Sequence, residues 1–167
     1  LEYLESHTES DIRELSCCQV LNDADVLSLD VLLRRHHRVF HLQSLKLPRN
    51  GLTEHSAGAL ARIVQQSEAL VELDLSHNPL RPDGLASLKQ ALTSTVAAGT
   101  SIRSRLKRLD LTDTQLGPKG MASLASILRH NESIRELQLG HNNLGTKSMK
   151  TLSTILCQEN TTLQVLG

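Results

Sequence analysis

The sequence predicts an α/β solenoid, a single array from residue 1 to residue 167 with a curved parallel β-sheet on its concave side and α-helices on its convex side. Three observations predict it. A pattern of leucines closed by an asparagine returns along the chain, the leucines inside it alternate at period two, and the apolar residues after it fall at helical spacing.

Four copies of the pattern align: Leu42, Leu45, Leu47, Asn50 and Leu52; Leu70, Leu73, Leu75, Asn78 and Leu80; Leu106, Leu109, Leu111, Thr114 and Leu116; Ile134, Leu137, Leu139, Asn142 and Leu144. Their starts are 28, 36 and 28 residues apart. Leu45 and Leu47 share one face of a short strand while the residue between them faces the other way. The asparagine closes the strand, and a buried row of Asn50, Asn78 and Asn142, broken by Thr114, is suited to pair the carbonyls and amides that a tight turn leaves open. Beyond the turn, Ala57, Leu60, Ile63 and Val64 are spaced as one helix face. So are Leu85, Leu88, Ala91 and Leu92, then Met121, Leu124, Ile127 and Leu128, then Met149, Leu152, Ile155 and Leu156. Ser56, Gly84, Gly120 and Ser148 stand at the helix starts, small enough for the helix to approach the sheet closely. One unit cannot cover its own leucines, so the units stack.

The pattern resembles the ribonuclease-inhibitor type of leucine-rich repeat, a class that includes NOD-like receptor sensor regions, tropomodulin and Ran GTPase-activating protein. The resemblance implies a leucine-rich-repeat solenoid over nearly the whole chain. The repeats are expected at 42–69, 70–105, 106–133 and 134–162, with a degraded repeat at 12–41 and a partial one at 163–167. In the degraded repeat Cys17 replaces a core leucine, Val20 takes the asparagine place, and Val26, Leu29, Leu32 and Leu33 supply the helix face. The chain opens on Leu1 and stops at Gly167 within a new strand, so it is expected to be a fragment of something longer.

Trp is absent and Tyr3 and Phe40 are the only aromatics, as suits a core that stacks one apolar size in register. Formal net charge is zero but unevenly spread. Residues 1–30 carry eight acids against Arg13, and the remainder carries seventeen Lys and Arg against ten acids. Cys17, Cys18 and Cys157 are odd in number and lack framework spacing, which favours a reducing, cytoplasmic compartment over a disulfide scaffold. No apolar run reaches membrane-spanning length, and no signal peptide is visible.

No glycine-rich phosphate loop, nucleophile elbow or zinc-protease motif is present, so the chain is read as non-catalytic and without a cofactor or small-molecule substrate. His36, His37 and His41 are close in sequence but without carboxylate or thiol ligands at metal spacing. His77, Asp113 and His141 occupy one place in successive repeats and are expected to form a row. Two long connections, 34–41 and 93–105, bring Arg34, Arg35, Arg103 and Arg105 to the rim where strands begin. Without interleaved aromatics this rim lacks the stacking half of nucleic-acid recognition.

The polar side of the sheet is the remaining candidate, centred on Asp74 and Asp110 with Lys46, Glu72, His77, Arg108 and Asp113 around them. Glu72, Arg108 and Glu136 alternate in sign across strands and are placed to pair, whereas Asp74 and Asp110 repel. A protein partner bound through this face and the basic rim is the expected function. An architectural spacer in a cytoskeletal or multiprotein assembly, or a GTPase-activating protein of the Ran type, are the alternatives the sequence leaves open.

Overall fold

The computed structural model describes residues 12–35, 41–93 and 105–167. Strands and helices alternate: β1 (Glu14–Ser16), α1 (Asp23–Arg35), β2 (Ser44–Lys46), α2 (Glu54–Gln66), β3 (Glu72–Asp74), α3 (Arg81–Leu92), β4 (Arg108–Asp110), α4 (Gly117–His130), β5 (Glu136–Gln138), α5 (Gly145–Gln158) and β6 (Val165–Leu166). The six strands form one sheet in chain order. Every pair is parallel, with Leu15, Leu45, Leu73, Leu109, Leu137 and Leu166 side by side. Among the described residues, each helix packs most closely on the helices next to it in sequence. This is the contact pattern of a solenoid.

The leucines of the pattern make the core: Leu45, Leu47, Leu73, Leu75, Leu109, Leu111 and Leu137 are all buried between sheet and helices. The helix faces follow the expected spacing, with one correction. Met149 is 50% exposed, unlike Met121, because no described unit covers α5 on its outer side. The predicted close approach of helix to sheet is also corrected. A methyl on Gly84 would meet Leu80 Cβ at 3.2 Å and one on Gly120 would meet Leu116 Cβ at 2.9 Å, so each glycine makes room for the leucine that closes its own turn.

The asparagine row works across repeats as well as within each one. Asn78 Oδ1 accepts from the amides of Asn50 (2.9 Å) and Leu52 (3.0 Å), and its Nδ2 donates to Leu47 O at 2.7 Å. Asn50 does the same for the amides of Val20 and Leu21 and for Cys17 O. Asn142 serves the amides of Thr114 and Leu116 and Leu111 O. Thr114 turns its hydroxyl inward to Leu111 O at 2.7 Å. Three turns are therefore closed by the asparagine of the repeat that follows, while the Thr114 hydroxyl is spent on Leu111 O and Asn142 Oδ1.

A second row, absent from the sequence reading, runs along the opposite rim. Asn131 caps α4; its Oδ1 accepts from the amides of Ser133 (2.8 Å) and Ile134 (2.7 Å) while Nδ2 donates back to Leu92 O at 2.6 Å. Asn160 repeats the arrangement on Thr162, Leu163 and Leu128 O. Both lie three residues before the first apolar residue of a unit, a register that was visible in the sequence.

Candidate functional site

The polar side of the sheet is built from two rows and a third on the adjoining turns. The strand register places Glu14, Ser44, Glu72, Arg108 and Glu136 in one row and Ser16, Lys46, Asp74, Asp110 and Gln138 in the next. Gln19, Arg49, His77, Asp113 and His141 each precede the turn-closing position, and all five have left-handed backbones with φ between 53° and 59°. Such backbones are uncommon outside glycine. Their repetition points five side chains the same way.

Local pairing consumes part of this charge. Lys46 Nζ lies 3.2 Å from Glu14 Oε1 and 3.3 Å from Glu72 Oε2, and these two carboxylates hold its ammonium above the usual lysine range. Glu72 also accepts from Ser44 Oγ at 2.9 Å and sits 3.4 Å from Arg108 Nε. Partial burial pushes the Glu72 carboxyl up, but the Ser44, Lys46 and Arg108 donors outweigh it and hold the group below the ordinary glutamate value. The expected alternation of Glu72 with Arg108 is present. Lys46 turns diagonally to the two glutamates and leaves Asp74 to other partners.

Asp74 and Asp110 are register partners on β3 and β4. Each spends one oxygen on its own turn: Asp74 Oδ1 accepts from Ser76 N and Asp110 Oδ1 from Thr112 N, both at 2.8 Å. Among the described residues neither makes a salt bridge. Together with Glu72, Arg108, Glu136 and Gln138 they line a shallow groove of about 190 Å³. Four carboxylates face one guanidinium there. Beside the groove, His77 Nδ1 is 3.1 Å from Asp113 Oδ2.

The rim is less basic than its arginines suggest. Arg34 Nη2 lies 3.0 Å from the buried Asp30, which also takes Arg62 Nε from α2 at 2.8 Å, a clamp between adjacent helices that no sequence pattern announced. Arg35 and Arg105 are exposed, and the exposed Glu68 and Glu132 stand before β3 and β5, so the described rim alternates in sign. Arg103, His36 and His37 lie outside the described residues. Asp23 was also missed: it reaches across to Thr53, accepting from its amide at 2.9 Å and its hydroxyl at 2.6 Å. Slight burial raises the Asp23 carboxyl and these bonds, outweighing it, leave it below the ordinary aspartate value. Among the described residues no group of three or more His, Cys, Asp or Glu could hold a metal ion, and no helix is long and apolar enough to cross a membrane.

A parallel sheet of one-leucine strands, a helix after each strand, and an asparagine closing the turn of the unit before it define a leucine-rich repeat array. The chain is a leucine-rich repeat protein of the ribonuclease-inhibitor type. The Leucine Rich repeat family matches at residues 66–89, 105–125 and 130–153. NACHT, LRR and PYD domains-containing protein 12 of Mus musculus is 37% identical over 147 residues, covering 87% of this chain and 13% of that protein. The ribonuclease inhibitor of Sus scrofa is 34% identical over 125 residues, covering 75% of this chain and 26% of that protein. The chain thus spans only a minor part of these relatives. Among solved structures, the leiomodin-1 actin-binding site 2 superposes with a TM-score of 0.71 at 17% identity, covering 95% of this chain and 87% of that one, which establishes the shared fold.

Proposed function

We propose that the array is a non-catalytic protein-interaction module whose concave groove receives a cationic side chain of a protein partner between Asp74 and Asp110. One observation carries the reading: two carboxylates on adjacent strands, each fixed by its own turn, face an open groove without a salt bridge among the described residues. Like charges side by side on neighbouring strands are unfavourable, and a lysine or arginine placed between them relieves the repulsion. Fixed carboxylates recognise a cation with little ordering of the site on binding. The relatives support a binding role, since one is named an inhibitor of ribonuclease and the structural neighbour an actin-binding site. The free thiols of Cys17, Cys18 and Cys157 suit a reducing, cytoplasmic setting. Arg35 and Arg105, exposed on a rim that alternates in sign with Glu68 and Glu132, are left to meet acidic groups elsewhere on the partner.

The test is selection of ligands for the 167-residue chain from a random peptide library, followed by affinity measurement on an Asp74→Asn/Asp110→Asn variant. Selected peptides are expected to share an arginine or lysine and to lose about tenfold in affinity on the variant, roughly 1.4 kcal/mol. Ligands that lack a cation, or bind both proteins equally, remove the groove from consideration.

A further inference from the structure

The row of His77, Asp113 and His141 is left unused by that reading, although it stands on the turns that follow the three strands lining the groove. The three residues occupy equivalent turn positions with φ of 57°, 53° and 57°. Each stands three residues beyond the Asp74, Asp110 or Gln138 of its own repeat. Asp113 is thus flanked by imidazoles from both neighbouring repeats, one of them already bonded through His77 Nδ1 at 3.1 Å. The side chains of His77 and Asp113 are 35% and 50% exposed, so protons exchange freely with solvent.

Imidazole is the side chain whose charge changes between about pH 5 and 8. With both rings neutral, the row carries the single negative charge of Asp113 and adds to the field of Asp74 and Asp110. With both rings protonated, the row carries one net positive charge. The sign of the row changes with two protons.

We propose that His77, Asp113 and His141 form a pH-sensitive gate on the concave face, releasing a cationic partner as both imidazoles take up protons. The inference rests on the concave-groove reading for its ligand, though the coupling within the row is independent of it. Around His77 the register places Arg49 on the preceding turn and Asp113, bonded to its ring, on the next, with Asp74 and Asp110 one row away at the strand ends. Around His141 the register places Asp113 on the preceding turn, with Asp110 and Gln138 one row away at the strand ends, while β6 pairs with β5 through Val165 and Leu166 and brings no charged group. Each proton taken up by the row adds a positive charge beside Asp74 and Asp110 and weakens the hold of the face on an external cation.

Two measurements on the 167-residue chain test this. Nitrogen-15 spectra of the histidine rings at pH 8 are expected to show His77 carrying its proton on Nδ1, donated to Asp113, and to show it moving to Nε2 in Asp113→Asn. Fluorescence anisotropy with a labelled hexa-arginine peptide is expected to show affinity falling about tenfold from pH 7.5 to 5.5. The dependence should be flat in His77→Asn/His141→Asn, where asparagine keeps the left-handed backbone. A peptide that binds with the same pH dependence in that double variant overturns the gate. If the peptide binds at no pH, the groove reading fails and the ring spectra decide the row: an Nε2 proton on His77 that ignores Asp113→Asn overturns it as well.

Discussion

Replacing Asn78 tests whether the cross-repeat asparagine row, and not leucine burial alone, holds the array in register. Asn78 is fully buried, and its carboxamide makes five contacts: two amides, Asn50 N and Leu52 N, into Oδ1, and Nδ2 toward Leu47 O, Leu75 O and Ser76 O. Alanine strands two buried amides and several carbonyls. Each unsatisfied buried group costs about 1–3 kcal/mol, and partial relaxation brings the expected loss to roughly 3–5 kcal/mol. That is a large part of the 5–15 kcal/mol typical of a domain. Asn78→Asp separates the two halves of the contact set, because it keeps an acceptor for Asn50 and Leu52 but points a second oxygen at three carbonyls. It should lose about as much as alanine. Urea unfolding followed by circular dichroism gives both numbers. A loss below about 1 kcal/mol for alanine would mean the row is incidental to the stacking.

Asn131→Ala should cost roughly 2–4 kcal/mol in the same assay, since it leaves Leu92 O and the amides of Ser133 and Ile134 without the carboxamide they share. Gly120→Ala drives a methyl to 2.9 Å from Leu116 Cβ and is expected to destabilise by about 1–3 kcal/mol. The control is Gly58→Ala, whose nearest neighbour is Arg62 Nη1 at 3.8 Å; there the helix should gain about 0.4–1 kcal/mol, and equal melting temperatures for the two variants would contradict the packing described. Glu72 and Asp23 are held below their ordinary values, so their stabilising share is present above the unfolded-state carboxylate range and is lost as pH falls through the depressed folded values, below about pH 4. The Glu72→Gln variant should therefore show a shallower acid limb than the wild type, and an unchanged limb would show that the Ser44, Lys46 and Arg108 contacts contribute nothing to it.

The fold was legible because stacking forces one residue size into one register. Leu45, Leu73, Leu109 and Leu137 had to be equivalent, and a period-two run followed by a helical run leaves little else to build. The asparagine row was readable in position but not in direction, since spacing alone does not say that Asn78 serves the turn before it. Met149 was misjudged because the sequence pattern of α5 matches that of α4, and only the stack shows which helix has a neighbour on its outer side. The second asparagine row was missed because Ser67 holds the corresponding place before Leu70, so Asn131 and Asn160 look like unrelated loop residues. On the concave face, alternation gave the right residues and the parallel register gave their rows. The partners of Lys46 and Arg34 were not readable: long side chains choose among several acids within reach, and Asp30 is hidden by its placement on a helix flank.

On the proposed reading, Asp74 and Asp110 mark where stability and recognition pull apart. Lys46, Arg108 and Ser44 satisfy Glu72 from three sides, so an array selected only to stack could have paired the next row as well. It instead leaves two carboxylates in register, and the turn amides of Ser76 and Thr112 hold them in place without neutralising them. Asparagine at both positions keeps the Oδ1 acceptor that each turn needs and removes the repulsion, so Asp74→Asn/Asp110→Asn should gain about 0.2–1 kcal/mol. Alanine at both positions loses the turn bonds as well and should be less stable than the wild type. The combination of a small gain in stability with a loss of cation binding is the behaviour of residues retained for function. A double asparagine variant that melts below the wild type would show that the two carboxylates are neutralised within the fold, and the groove would then have no charge to offer a partner.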